Sequence, residues 1–326
     1  MIKEQNDYFS EYIPINGMEQ YLLHYRASPD CPVLLFLHGG PGMAESTFAY
    51  VFQEQLSSLF TVVHWDQRGA GKTLTKASKK KEYPSVDELL GDLLRIVQYL
   101  KKRYHKEKIA ILGHSWGSML GSLFVKKYPE EVLCYIGVGQ IIDIVENEKV
   151  GFDKLRERIV KANNQKDLAA LEKIGVYPET NYEKPMIKKL QKVRILQGKY
   201  KIGMDFIPIL KALFKSPVFK ISDITSLFKG MNNNKRLWDF LFSHNLYEEN
   251  RAYEIPVFYV LGDRDFQAPN TIASSYFDTI NAPVKKLFLI KDAGHFIMLD
   301  QPKLFSEALA EICDTAGDRK IGELPV

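Results

Sequence analysis

Short apolar runs recur along the chain, and each is bounded by polar or turn-forming residues. The runs of strand length are Val33–Leu37, Thr61–Trp65, Ile109–Leu112, Leu133–Val138, Val257–Leu261 and Leu287–Ile290. Polar and apolar residues do not alternate within them, as they would in a strand with one face in water. Continuous apolar strands are typical of sheets covered on both faces, which are mostly parallel. The pattern therefore predicts a mostly parallel, doubly wound sheet.

Helical periodicity fills the intervals between most of these runs. The clearest helices are predicted over residues 85–100, 116–128 and about 300–313. Ser85 and Glu88 match the capping-box pattern at the start of the first of them. Strands that alternate with helices in this way indicate an α/β domain.

The chain opens with a different pattern. Ser10–Ile15 and Met18–Arg26 flank Asn16-Gly17, a dipeptide that favours the two-residue turn of a β-hairpin. We therefore expect an antiparallel hairpin before the parallel strands begin.

The alternation of strands and helices is interrupted between residues 143 and 250. This stretch has helical periodicity and no convincing strand, and the strand pattern resumes at Pro256. We predict a helical cap (lid) domain over 143–250, inserted between two strands of a catalytic domain formed by 1–142 and 251–326. The predicted cap has 20 basic and 14 acidic residues, a net charge of +6. Such a surface is either simply solvated or attractive to an anionic substrate or lipid surface.

Composition narrows the class of protein. The 326 residues include 44 Lys and Arg against 40 Asp and Glu, so the net charge of +4 does not indicate nucleic-acid binding. No apolar run approaches the length of a membrane span, and the N-terminus lacks the apolar run of a secretory signal. Cys31, Cys134 and Cys313 are widely spaced and odd in number, which predicts no disulfide framework and a cytoplasmic protein.

One motif predicts a catalytic site. Gly113-His114-Ser115-Trp116-Gly117 follows a predicted strand and precedes a predicted helix, which is the context of a nucleophile elbow. A serine there needs a base that is oriented by an acid, and these partners follow it along the chain. His295 lies just after one predicted strand and is the candidate base. Asp263 and Asp265 both follow another strand, and the spacing leaves either as the acid.

A glycine-rich segment offers the remaining part of such a site. His38-Gly39-Gly40-Pro41-Gly42 follows the strand Val33–Leu37, and glycines allow backbone N–H groups to approach an oxyanion closely. We select the N–H groups of Gly40 and Trp116 as the oxyanion hole. By contrast, Gly69-Ala70-Gly71-Lys72-Thr73 is not a phosphate-binding loop, because Asp66 stands where that pattern needs glycine. We expect residues 66–69 to be a polar, ion-paired support for the glycine-rich segment.

Together these motifs resemble the α/β-hydrolase superfamily, and within it the proline iminopeptidase group of serine peptidases. The resemblance rests on the glycine-rich segment, the elbow, Gly262-Asp263-Arg264-Asp265, Gly294-His295 and the Trp65–Gly71 segment, and it covers about two thirds of the chain. It implies the α/β-hydrolase fold and Asp265 as the acid, with the oxyanion hole at Gly40 and Trp116. It also implies a cis Gly40-Pro41 bond.

The predicted cap departs from that group. An iminopeptidase must bind a free α-amine, and the Trp-Glu and Glu-Asn-His segments of bacterial members are missing between residues 143 and 250. Asp239, Glu248 and Glu249 are possible substitutes. The aromatic residues of the predicted cap that are candidates for lining a pocket are Phe206, Phe214, Phe228, Trp238 and Phe240.

The sequence predicts a serine hydrolase that needs no metal or organic cofactor. Its substrate is a small molecule or short peptide, and an aminopeptidase of proline iminopeptidase type is the first choice. A carboxylesterase acting on small or apolar acyl esters is the alternative, since the same machinery serves both. A lyase or an acyltransferase is a further alternative, since either can use the same triad. An alternative of a different class is a non-catalytic ligand-binding protein on a hydrolase scaffold. Ser115 argues against epoxide hydrolases and dehalogenases, which use an aspartate nucleophile on this fold.

Overall fold

The structure is a computed structural model that describes residues 8–53, 56–77, 84–179, 182–200, 202 and 206–317. The described strands are β1 (Tyr8–Ile15), β2 (Met18–Tyr25), β3 (Val33–Leu37), β4 (Thr61–Asp66), β5 (Ile109–His114), β6 (Val132–Val138), β7 (Val257–Gly262) and β8 (Lys285–Ile290). They form one sheet in the order β1-β2-β4-β3-β5-β6-β7-β8. The β1–β2 and β2–β4 pairs are antiparallel, and the other five described pairs are parallel. The prediction of a mostly parallel sheet is confirmed.

Helices cover both faces of this sheet. Those described are α1 (Tyr50–Gln53), α2 (Gly71–Lys76), α3 (Val86–Tyr104), α4 (Trp116–Lys127), α5 (Ile144–Lys161), α6 (Gln165–Glu172), α7 (Lys184–Lys199), α8 (Phe206–Lys215), α9 (Asp223–Asn233), α10 (Lys235–Ser243), α11 (Asn270–Thr279), α12 (Ile297–Asp300) and α13 (Pro302–Gly317). The capping box of Ser85 and Glu88 at the start of α3 is present. The last predicted helix begins at Pro302 rather than Asp300, because Asp300 ends the separate helix α12.

The hairpin at the start of the chain has the predicted geometry. Ile15 pairs with Met18 across the turn. Asn16 has a φ of 45° and Gly17 a φ of 83°, and positive φ at both positions matches the turn that joins twisted strands.

Burial explains the continuous apolar runs. Every residue of β3, β4, β5 and β7 is buried, because helices lie on both faces. Successive side chains of a strand point to opposite faces. Leu35 of β3 accordingly packs in one core cluster with Leu89 of α3, while Phe36 packs in the other with Phe305 of α13.

The chain between β6 and β7 forms α5 to α10 and, among its described residues, no strand of the sheet. Leu155 of α5 and Val193 of α7 belong to a small core of this insertion. Trp238 of α10 and Ile209 of α8 instead join the two clusters that flank the sheet, so the insertion is packed onto the sheet. Its limits as a cap domain at residues 143 and 250 stay a prediction. No described helix has both the length and the apolar character that crossing a membrane requires.

Candidate active site

Ser115 lies at the turn between β5 and α4, as the elbow motif predicted. Its φ of 54° and ψ of −121° lie outside the regions that residues with a side chain usually occupy. A Cβ on Gly113 would overlap the carbonyl of Gly117, and one on Gly117 would overlap the carbonyl of Leu37. The two glycines therefore allow a turn tight enough to present the serine at the end of β5. Backbone strain of this kind concentrates at functional sites.

Ser115, His295 and Asp265 form one hydrogen-bonded chain. His295 Nε2 lies 2.9 Å from Ser115 Oγ, and His295 Nδ1 lies 2.8 Å from Asp265 Oδ2. The Asp265 side chain is 1% exposed, and its Oδ1 accepts hydrogen bonds from the N–H groups of Gln267 and Ala268. A carboxylate in this position favours the ring with Nδ1 protonated, which leaves Nε2 free to accept the serine proton.

The two aspartates that competed as the acid have different surroundings. Asp265 contacts His295, whereas Asp263 is exposed to solvent. The end of β7 and the loop that follows β8 approach each other closely. A Cβ on Gly262 would overlap the carbonyl of Ala293, so the glycine permits this approach. This contact brings the acid and the histidine together from neighbouring strands.

Of the two residues selected for the oxyanion hole, Trp116 follows the serine directly in sequence, and Gly40 follows Gly39, which approaches the serine. The bond between Gly40 and Pro41 is cis, as the resemblance implied, and Gly40 has a φ of 116°. A side chain on Gly40 would overlap the backbone of its own loop. Trp116 is the first residue of α4, so its N–H has no acceptor within the helix. The adjoining Gly39 is so near Ser115 that a Cβ on this glycine would lie 3.1 Å from the Cβ of the serine.

An amide side chain, rather than an ion pair, supports the glycine-rich segment. Gln67 donates from its backbone N–H to His38 Nε2 at 3.1 Å and from its Nε2 to the His38 carbonyl at 3.0 Å. Its Oε1 accepts a hydrogen bond from Trp116 Nε1 at 3.0 Å. Arg68 pairs instead with Asp92 of α3 at 2.8 Å. The expectation of ion-paired support was therefore wrong at this contact, because the amide can both donate and accept.

A second histidine–carboxylate pair lies beside the first, and no motif pointed to it. His114 Nδ1 lies 2.7 Å from Glu45 Oε1, and each side chain is 1% exposed. His114 Nε2 lies 2.9 Å from the carbonyl oxygen of His295, and Glu45 Oε1 accepts the N–H of Gly39 at 3.0 Å. The only signal in the sequence is an acid within a run of small and apolar residues.

The charge of His114 depends on that of Glu45. The His295 carbonyl only accepts, and an ionised Glu45 also only accepts, so beside an ionised Glu45 the ring donates from both nitrogens and is positively charged. Burial is the largest influence on the pKa of His114 and lowers it, but Glu45, the His295 carbonyl and Asp265 together raise this pKa above its ordinary value. Burial is also the largest influence on the pKa of Glu45 and raises it, but His114, the Gly39 N–H and His38 together bring this pKa below its ordinary value. Both directions favour the ionised pair, which joins the glycine-rich segment at Gly39 to the segment that carries His295.

The aromatic residues of the insertion differ in their positions. Phe240 packs edge-on against Trp116 with ring centroids 6.5 Å apart, and it borders a cavity of about 380 Å³. Trp238 stacks on Tyr182 at 4.8 Å within the packed insertion. Phe214 is 73% exposed and lines no interior. The side chains of Phe206 and Phe228 lie outside the described residues.

The three candidate carboxylates for a substrate amine are paired or face solvent. Asp239 lies 2.7 Å from Lys235 on the surface of α10. Glu249 lies 3.5 Å from His244, and Glu248 is exposed.

The chain is similar to proteins of one family. The sequence model described as the alpha/beta hydrolase fold matches residues 32–302. The Bacillus subtilis protein named "Probable aminopeptidase YbaC" is 26% identical over 301 residues, which cover 91% of this chain and 94% of that protein. A proline iminopeptidase of Neisseria meningitidis is 27% identical over 132 residues, 40% of each chain.

Solved structures agree on the fold. The proline iminopeptidase-related protein from Thermus thermophilus superposes with a TM-score of 0.59 at 21% identity, covering 95% of this chain and 98% of that one. Three findings indicate one family: the strand order, the serine at the turn after β5, and the sequence match over most of the chain. This chain belongs to the α/β hydrolase fold family, and its relatives include the proline iminopeptidases.

Proposed function

We propose that this member of the family is a serine hydrolase that works through an acyl-enzyme. The observation that carries the proposal is the continuous hydrogen-bonded chain from Ser115 Oγ through His295 to Asp265, with distances of 2.9 and 2.8 Å. A buried acid, an oriented imidazole and a hydroxyl presented at a strained turn are the parts that activate a serine.

In the first half of the reaction, Ser115 Oγ attacks the substrate carbonyl carbon while His295 Nε2 takes its proton. The C=O π electrons move to the oxygen, and the N–H groups of Gly40 and Trp116 donate to the resulting oxyanion. His295 then gives its proton to the leaving amine or alkoxide as the tetrahedral intermediate collapses. Asp265 stabilises the imidazolium throughout.

In the second half, water attacks the acyl-serine. His295 removes a proton from that water, a second oxyanion forms at the same donors, and the acid is released as Ser115 regains its proton. The same constellation cleaves amides and esters, so the substrate is decided by the pocket rather than by the triad.

For the substrate we propose a small amide or short peptide, cleaved by an aminopeptidase activity of proline iminopeptidase type. The support is the similarity over 91% of the chain to a protein named as an aminopeptidase, together with the shorter match to proline iminopeptidases.

The alternative is a carboxylesterase on small or apolar acyl esters, and a specific observation favours it. An α-amine needs an unpaired carboxylate in the pocket, yet Asp239 contacts Lys235, Glu249 contacts His244 and Glu248 is exposed to solvent. Esters carry no such cation and need no acid in the pocket.

One comparison separates the two activities. The purified protein is assayed with a proline arylamide and with p-nitrophenyl esters of short acids, beside Ser115→Ala. Arylamide cleavage that is lost in the variant supports the aminopeptidase. Ester turnover without arylamide cleavage overturns it in favour of the esterase. Labelling of Ser115 by a fluorophosphonate tests the acyl-enzyme itself, and a folded protein that is not labelled contradicts the serine mechanism.

We further propose that the protein works in the cytoplasm. Cys31, Cys134 and Cys313 are all free thiols, which supports a reducing compartment. Detection of the protein in a cell fraction outside the cytoplasm would contradict this.

A further inference from the structure

A short part of the insertion exposes several large apolar side chains to solvent. Leu210 and Phe214 of α8 are 50% and 73% exposed, and Ile221 in the turn that follows is 82% exposed. The Phe214 ring also contacts Phe219, with centroids 6.0 Å apart. Single exposed apolar residues are ordinary, but a group of them indicates a surface that binds something.

The helix α8 is amphipathic, and its other face is buried. Ile209, Ala212 and Leu213 are 4%, 8% and 5% exposed and pack in the core cluster that contains Phe296, the neighbour of His295 in sequence. The Tyr50 hydroxyl also donates to the carbonyl of Ala212 at 2.9 Å. These contacts attach the helix to the sheet domain and leave the apolar strip of Leu210 and Phe214 exposed.

Three exposed lysines flank that strip in sequence. Lys211 and Lys215 are exposed. Each lysine comes directly after one of the two apolar residues and so lies about 100° from it around the helix axis. Lys220 is exposed in the turn that precedes Ile221. The sequence has no aspartate or glutamate between Phe206 and Ser222, and Asp205 is the acid that precedes the helix. The first acid beyond it, Asp223, is buried against Lys72 and so does not offset this charge at the surface.

We propose that α8 and the following turn form a binding surface for anionic lipid bilayers, with Leu210, Phe214 and Ile221 inserted among the lipids and the three lysines at the headgroups. A helix that combines an apolar strip with flanking lysines lies in the plane of the membrane interface. Each lysine near an anionic surface adds attraction that a zwitterionic surface does not provide. The occupant is therefore a lipid surface rather than an uncharged protein groove. This inference does not depend on the substrate of the enzyme.

The first test is sedimentation of the full-length protein with vesicles. We expect binding to vesicles of phosphatidylcholine with roughly 30% phosphatidylglycerol, and much weaker binding to phosphatidylcholine alone. The variant Phe214→Ser/Ile221→Ser should lower the partition coefficient by about tenfold or more, since two large apolar side chains no longer insert. Ile195→Ser is the matched control, because Ile195 is 72% exposed on α7 between the exposed residues Lys192 and Lys199.

A second variant tests the charge separately. Lys211→Glu/Lys215→Glu should abolish the preference for phosphatidylglycerol, and added salt should weaken wild-type binding. Fluorophosphonate labelling confirms that each variant is folded without entering the readout. Equal binding to both vesicle types, no binding, or an equal loss in Ile195→Ser would overturn the proposal. A dimer on gel filtration that the Phe214→Ser/Ile221→Ser variant dissociates would show instead that a second copy covers this face.

Discussion

At the scale of single residues, the surroundings of two aspartates decide which of them can orient the base. Asp265 is buried and holds His295 Nδ1, whereas Asp263 is exposed. Asp265→Asn keeps an oxygen for the N–H groups of Gln267 and Ala268, but its amide group disfavours the productive tautomer. We expect kcat to fall by about 10³–10⁴-fold. Asp263→Asn is the matched control and should keep wild-type activity. Comparable losses in both variants would contradict this assignment.

The ion pair of Glu45 and His114 makes a different prediction, which concerns pH. Glu45→Gln retains an oxygen acceptor but removes the charge that holds the pKa of His114 above its ordinary value. A neutral ring donates only one hydrogen bond, so the new glutamine or the His295 carbonyl loses a partner. If the amide instead turns its NH2 group toward Nδ1, the N–H of Gly39 loses its acceptor. We expect kcat/KM at a mildly alkaline pH of about 8 to fall by about tenfold, the kinetic equivalent of one such bond.

The direction of the pH effect follows from the groups around His114. His295, Asp265, His38 and Glu45 interact with this ring and its carboxylate partner, and only Glu45 is changed. The doubly donating ring exists below the pKa of His114, so the alkaline limb of the activity profile should move to lower pH in Glu45→Gln. His24→Gln is the control, because His24 is a buried histidine that contacts Tyr104 at 2.8 Å in another part of the sheet. A loss of stability in both variants with unchanged pH profiles would show that the pair is purely structural.

At the scale of elements, a buried ion pair joins the insertion to the sheet domain. Lys72 Nζ of α2 lies 2.5 Å from Asp223 Oδ2 of α9, and the side chains are 7% and 4% exposed. Lys72→Met leaves the carboxylate buried without its cation, so we expect the free energy of unfolding to fall by about 3–5 kcal/mol. Lys72→Met/Asp223→Leu should recover much of that loss. Lys235→Ala, which breaks an exposed pair on α10, should cost less than about 1 kcal/mol. Urea unfolding measures all three, and equal effects would show that burial of the pair does not matter.

The elements themselves were largely predictable from the sequence. The continuous apolar runs predicted the inner strands, because a strand that is buried on both faces is apolar at every position. The capping box predicted the start of α3. The short helices α1, α2 and α12 were missed because four to six residues are too few to show a helical period.

The candidate site was predictable only where its residues stand in motifs. Ser115 and His295 follow strands in recognisable segments, and the glycines reveal where backbones approach. Glu45 meets His114 across 69 positions and Lys72 meets Asp223 across 151. Contacts between such distant residues depend on how the helices pack, and no local pattern encodes that packing.

At the scale of the whole molecule, three buried neutral histidines should make the free energy of unfolding fall as the pH falls. Burial lowers the pKa of His24 to about 3, of His38 to about 4 and of His64 to about 3. The unfolded chain binds more protons below a pH of about 6.5, so the stabilisation is complete above that pH and is lost as the pH falls. Each histidine should lower the unfolding free energy by ~1.4 kcal/mol per pH unit between pH values of about 6.5 and about 4.

One buried acid opposes this trend. Burial raises the pKa of Asp66 to about 6, so its protonated form favours the folded state as the pH falls, and it offsets about one of the three histidines. Urea unfolding at pH values of about 7, 6 and 5 should show a net fall in stability. A constant unfolding free energy over that range would contradict the buried, neutral state of these histidines.

The strand order also has a consequence during synthesis of the protein. Strands β6 and β7 are neighbours in the sheet, yet the ribosome must complete the whole insertion between them before β7 exists. Ser115 and the glycine-rich segment emerge early, whereas Asp265 follows β7 and His295 follows β8. Under the proposed mechanism, a nascent chain thus carries Ser115 without its base, and this serine can be activated only when the last strands join the sheet. Premature termination would therefore leave an inert fragment with an exposed strand edge, a substrate for chaperones and proteases rather than an unregulated hydrolase.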